Sequence, residues 1–255
     1  MTAFLGIEVF LGGRATPSLH LDPQSGIPGY LLAFLLLYTA GLCVLLWVAR
    51  KMRRRYPVAK GVLSAGFVLG SVLAYLTGQR GEFLLYLLLL GALVFCASGD
   101  ILLGIANKSH SKVRAKPFVA GSLCFLLAHL FFCTLFFTEA AFRPLDLIFP
   151  AVLVALLFYL SKKGKIRLKK MWPLGYSYTA LVGLMASKAV ICGFRVGILS
   201  GLGLFTAVGA VLFLVSDVIL LFLYFGVKRL HWLRTGNLIT YYSGIALIGL
   251  SAHWY

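Results

Sequence analysis

Two aspartates, Asp100 and Asp217, interrupt long apolar stretches of a chain that otherwise keeps its acidic residues elsewhere. The other five (Glu8, Asp22, Glu82, Glu139 and Asp146) fall in tails or between apolar runs. An ionisable group at mid-bilayer costs roughly 2.5–3.5 kcal/mol on insertion scales, so such a residue is retained for a task or a partner. A serine stands just before each one, Ser98 before Asp100 and Ser216 before Asp217, and an aliphatic run follows. Two buried carboxyl groups sharing a cavity divide their roles: one stays protonated and donates, while the other is ionised and accepts. That division serves hydrolysis by acid and base. It serves a proton- or cation-coupled transporter equally, and helix-to-helix hydrogen bonding would need no chemistry at all.

A third ionisable group, His129, lies inside another apolar run and can orient a carboxyl group or a water molecule. Lys60 stands at the start of a run, where it would snorkel to the interface or meet a lipid phosphate. Tyr178, Asn237, Tyr241 and Tyr242 fall near the ends of runs, where an aromatic belt is the routine explanation. One histidine and two aspartates fall short of a zinc ligand set. The five cysteines all lie in apolar runs, without loop spacings that suggest a disulfide framework, and read as small packing residues.

The elements that must position these groups are membrane helices. A chain of 255 residues that is 61% hydrophobic exceeds the apolar content of soluble domains, about 45–50%. Runs of some 18 apolar residues read as spans. Eight are expected, at 29–49, 58–78, 83–105, 117–137, 144–161, 173–192, 199–226 and 236–254, making an all-α, polytopic membrane bundle over 29–255 behind an N-terminal tail, 1–28. The tail lacks the basic start and small-residue cleavage site of a signal peptide. Loops after spans one, three, five and seven carry 19 of the 24 Lys and Arg residues. The positive-inside rule makes those loops cytoplasmic and both termini non-cytoplasmic. Basic charge split among four short loops beside lipid points to anionic membrane lipids as partners and away from nucleic acid.

On this topology Asp100, His129 and Asp217 sit in the cytoplasmic half or near the midplane and can converge on one cavity. Small residues beside both aspartates, Gly91, Ala97 and Gly99 in span three and Gly209 and Ala210 in span seven, let backbones approach closely.

Three segments then stand out together: GALVFCASGDILL (Gly91–Leu103), FVAGSLCFLLAHLFF (Phe118–Phe132) and GAVLFLVSDVILL (Gly209–Leu221). They resemble the signature segments of the lysoplasmalogenase family, the YhhN/TMEM86-like membrane proteins. The likeness rests on Gly-Asp in span three, Gly-x-x-x-Phe-x-x-x-His in span four and Phe-x-x-Ser-Asp in span seven. Lys60, Tyr178 to Met185, and Tyr241-Tyr242 are weaker echoes in the same order. The chain departs from the family at Gly61, where a proline is usual, and at Ser243-Gly244-Ile245, where a glutamine follows the tyrosines.

The resemblance implies an intramembrane hydrolase that cleaves the sn-1 vinyl ether of lysoplasmalogens to a fatty aldehyde and glycerophosphocholine or glycerophosphoethanolamine. No cofactor is implied, and a lysophospholipid is the substrate. Asp100 and Asp217 are then acid and base, with the deeper Asp217 expected to be the protonated acid. Lys60 is expected at the substrate phosphate, and His129 and Tyr178 at the cavity wall. Ser98, Ser216, Asn237, Tyr241 and Tyr242 complete the expected substrate-binding set. The basic loops and short tails suit a bacterial inner membrane better than the endoplasmic reticulum.

Overall fold

Lipid offers no hydrogen-bond partner to the backbone, so an apolar run that enters it must close its own bonds as a helix. The structure, a computed structural model, describes residues 27–52, 54–107, 115–227 and 232–255, and its long elements are all α-helices. They are α1 (Gly29–Lys51), α2 (Tyr56–Thr77), α3 (Phe83–Ala106), α4 (Ala115–Glu139), α5 (Ile148–Lys162), α6 (Trp172–Arg195), α7 (Gly201–Phe225) and α8 (Trp232–Leu250). Proline in the first turn starts α2 and α6, where its missing N–H costs nothing. Nearly all of the expected tail, 1–28, lies outside the described residues.

The eight helices fall on the eight expected runs, with two adjustments at the ends. The fifth run opens with a 3₁₀ turn, Pro144–Leu147, and the eighth closes with another, Ser251–Trp254. Among the described residues seven helices are long and apolar enough to cross a membrane; α8 is more polar than those seven. Its neighbours explain why. α8 packs against α1, α2, α3 and α7, so its Asn237, Tyr241 and Tyr242 find partners inside the protein and never meet lipid on that face.

Helix contacts close a ring in the order α2, α3, α4, α6, α7, α8 and back to α2. α1 leans on the outside of α2 and α8, and α5 on the outside of α6. The outward faces carry large apolar side chains such as Leu36, Leu37, Val62 and Leu69. The inward faces carry small and polar ones, including Ser64, Ser71, Asp100, His129 and Thr206. Two ring joints are backbone-close. A Cβ on Gly209 would lie 2.8 Å from the Gly244 carbonyl oxygen, and one on Gly244 would lie 2.7 Å from that of Gly209. Gly99 and Gly121 face each other similarly across α3 and α4, at 3.1 and 3.2 Å. The first joint lies two turns from Asp217 and the second adjoins Asp100, on the spans whose small residues suggest close packing.

The ends of the ring are tied differently. At the end bearing the basic loops, Ile166 bridges Gly226, with Arg167 N–H donating to the Phe225 carbonyl at 2.9 Å. At the opposite end the backbone N–H groups of Gln79 and Glu82 donate to the carbonyl oxygens of His253 and Tyr255 at 3.0 and 2.9 Å. Asp146 and Lys188, which look like loop and span-end residues, are instead buried against each other at 2.7 Å. Lys188 also donates to the Ala141 carbonyl at 2.9 Å and lies over the Phe137 ring. This ion pair pins the Pro144–Leu147 turn to α6, far along the chain from either intramembrane aspartate.

Candidate functional site

Asp100 has no exposed surface. Its Oδ1 meets the Lys60 ammonium at 2.8 Å. Its Oδ2 accepts from the hydroxyls of Ser64 (2.6 Å), Tyr241 (2.9 Å) and Tyr242 (3.4 Å). The helix repeat accounts for this: Lys60 and Ser64 are one turn apart on α2, and adjacent tyrosines on α8 bracket the carboxylate from the other side. Three O–H donors and a cation thus converge on one carboxyl group, and charge-assisted hydrogen bonds of this kind are the strong ones. Lys60 is itself only 6% exposed. Its charge therefore answers Asp100 rather than an open interface.

Asp217 is dressed differently. The Tyr178 hydroxyl donates to its Oδ2 at 3.2 Å, and Nε2 of His129 approaches the same oxygen at 3.4 Å. Nδ1 of His129 lies 2.6 Å from the Phe125 carbonyl oxygen one turn back. A carbonyl can only accept, so Nδ1 carries a hydrogen. An attractive contact between Nε2 and Oδ2 then needs one further proton, either on the ring or on the carboxyl group. Both of these contacts use Oδ2, and among the described residues Oδ1 has no hydrogen-bond partner.

Oδ1 has somewhere to point. Asp217 and Tyr178 line a cavity of about 120 Å³ between α4, α5, α6 and α7. α5 packs on α6 and leaves α4 and α7 room, which opens this space. The walls are leucine and phenylalanine, with Leu153, Leu157, Leu214, Leu221, Phe118 and Phe125 among them. Polar groups are few: Asp217, Tyr178, Ser122, Thr179 and Tyr224. Such a chamber suits an alkyl chain whose polar end meets a small set of fixed groups.

The expected site residues therefore divide. Asp100, Lys60, Tyr241 and Tyr242 form one cluster, and Asp217, His129 and Tyr178 form the other. Aromatic rings stand between them: Tyr241 contacts Phe125 and Phe213 edge-on, and Phe213 contacts His129. Asp217 lines the cavity and Asp100 does not. Ser216 adjoins the second cluster, accepting from Asn237 Nδ2 at 2.8 Å, which bolts α8 to α7 one residue before Asp217. Ser98 stands apart, donating to the Val94 carbonyl of its own helix at 2.9 Å. Ser64 was not singled out by sequence, although its i+4 spacing from Lys60 is a signal. Ser122, Thr179 and Tyr224 offered none, because hydroxyls on apolar helices usually bond their own backbone, as Ser122 and Thr179 also do.

The fold and site define a multi-pass helical membrane protein with two buried carboxyl clusters, one opening on an apolar cavity. The chain belongs to the YhhN family, whose model matches residues 57–252, from the first turn of α2 to the 3₁₀ turn after α8. No curated protein and no solved structure matches the chain.

Proposed function

We propose that this protein is an intramembrane hydrolase that cleaves the sn-1 vinyl ether of lysoplasmalogens, with Asp217 as the residue that touches substrate. The observation that carries this reading is that Asp217 lines an apolar cavity with His129 Nε2 3.4 Å from its carboxyl group; on this reading the two share one proton. The proton of the pair passes to the β-carbon of the vinyl ether, whose π electrons form the new C–H bond. The α-carbon becomes an oxocarbenium ion beside the carboxylate just created. Water adds to that carbon and gives its proton back to Asp217, which now acts as base. The resulting hemiacetal expels the glycerol oxygen, which takes the proton from the hemiacetal hydroxyl, leaving aldehyde and glycerophospho-alcohol. One water is consumed, and the pair ends as it began.

Asp100 has a supporting part in this scheme. Its carboxylate fixes the Tyr241 hydroxyl, and the Tyr241 ring backs Phe125 and Phe213, which in turn hold His129. It is a positioning residue here, whereas the family resemblance alone would make it the second acid or base. Lys60 is likewise assigned to Asp100 rather than to substrate phosphate. The basic end faces the cytoplasm on the positive-inside rule, and a bacterial inner membrane fits the chain best.

The test is aldehyde release from a lysoplasmalogen by the purified protein in detergent, beside Asp217→Asn and Asp100→Asn variants checked for folding. Aldehyde from the wild type, and none above background from Asp217→Asn, is the expected result. Full activity in a folded Asp217→Asn variant overturns the assignment. No aldehyde from folded wild type with either headgroup overturns the activity.

A further inference from the structure

A second hollow lies outside the ring, at the basic end, where the last turns of α1 run beside the first turns of α8. This open groove has a volume of about 540 Å³. Its floor includes Leu46, Ala49 and Leu238, and Arg50, Trp232 and Arg234 stand at its rim. The Arg234 guanidinium is stacked 4.7 Å above the centroid of the buried Tyr56 ring, which holds it in place without using its N–H donors. Neither Arg50 nor Arg234 has a carboxylate partner or a side-chain hydrogen bond among the described residues. Trp232 is 62% exposed, as an indole at a membrane interface is expected to be.

The neighbouring loops offer no answer to these charges. Residues 50–60, 106–116, 162–172 and 226–236 contain 19 Lys and Arg residues and no Asp or Glu. The four loops therefore supply no anion for the rim, and the apolar floor suits one that brings a hydrocarbon tail. We propose that the α1–α8 groove is a binding site for one anionic glycerophospholipid, its phosphate between Arg50 and Arg234 and an acyl chain along Leu46, Ala49 and Leu238. Basic pockets between helices on the positively charged side of membrane proteins recognise headgroups by this combination. Among the described residues α1 packs on α2 and α8, so a lipid wedged here braces α1 against the helix that carries Asn237, Tyr241 and Tyr242. The inference stands whether or not the protein is a hydrolase.

The experiment is native mass spectrometry and thermal unfolding of the full chain in detergent, with phosphatidylglycerol, with phosphatidylcholine of the same acyl chains, and with inorganic phosphate. Retention of one phosphatidylglycerol and a raised Tm are expected, with neither effect from phosphatidylcholine and no displacement by millimolar phosphate. In Arg50→Gln/Arg234→Gln the phosphatidylglycerol binds roughly thirty-fold more weakly, from two interfacial charges. Leu46→Trp keeps both arginines but fills the floor, and it too loses the lipid. Arg50→Gln alone, at an exposed position, reports on the phosphate contact should the double variant fail to fold. Equal retention of the two lipids, displacement by phosphate, or wild-type retention by any folded variant overturns the proposal.

Discussion

Removing one member of the Lys60–Asp100 pair should cost far more than removing both. At 2.8 Å and an effective dielectric constant of 20, the attraction between the two charges is about 6 kcal/mol. Desolvating each ion costs several kcal/mol, so the intact pair is nearly neutral for stability. A lone survivor is a different matter. Asp100→Asn leaves a buried ammonium at 6% exposure, and Lys60→Met leaves a carboxylate with three hydroxyls and no counter-charge. Each change should destabilise the protein by about 3–5 kcal/mol. The double variant carries no buried charge and should lose about 3 kcal/mol or less, much of it from weaker O–H donation to a neutral amide. Additive behaviour would instead give a loss of about 6–10 kcal/mol, so a coupling energy of at least 3 kcal/mol is expected. Unfolding in mixed micelles, followed by far-ultraviolet circular dichroism for the four proteins of the cycle, measures it. Single-variant losses that add to within about 0.5 kcal/mol would show that each charge reaches water alone, and would refute the burial argument.

Three other outcomes follow from the packing and the site. Gly244→Ala places a Cβ 2.7 Å from the Gly209 carbonyl oxygen and should cost about 1–3 kcal/mol, whereas Gly236→Ala, on the same helix, meets nothing nearer than 3.6 Å and should gain about 0.5–1 kcal/mol; the two unfolding midpoints should move in opposite directions. Lys188→Met strands the buried carboxylate of Asp146 and should cost about 3–5 kcal/mol, while Lys162→Met, on an exposed residue, should change stability by less than 0.5 kcal/mol. His129→Gln should lower kcat for aldehyde release by roughly 10²-fold or more, since the amide can hold the Phe125 carbonyl but cannot share the proton; unchanged kcat would remove His129 from the chemistry.

The sequence by itself determined the helical class and the eight runs, and set Asp100, His129 and Asp217 inside three of them, because hydropathy is a coordinate along the membrane normal. It determined that Gly99 and Gly209 mark close helix contacts, because only small residues permit them. Depth carries no information about the direction a residue faces or which helix stands opposite. Lys60 looked free to meet phosphate until ring closure set α2 against α3 and turned it onto Asp100. The two aspartates looked like one constellation until Phe125, Phe213 and Tyr241 stood between them. Asp146 and Lys188, polar residues at the ends of runs, became a buried pair only when the turn before α5 folded against α6. Even the polarity of α8 reads as a weak span until its neighbours are known. Tertiary structure decided the partner of every buried charge, since partners come from different helices and are chosen by packing around the ring.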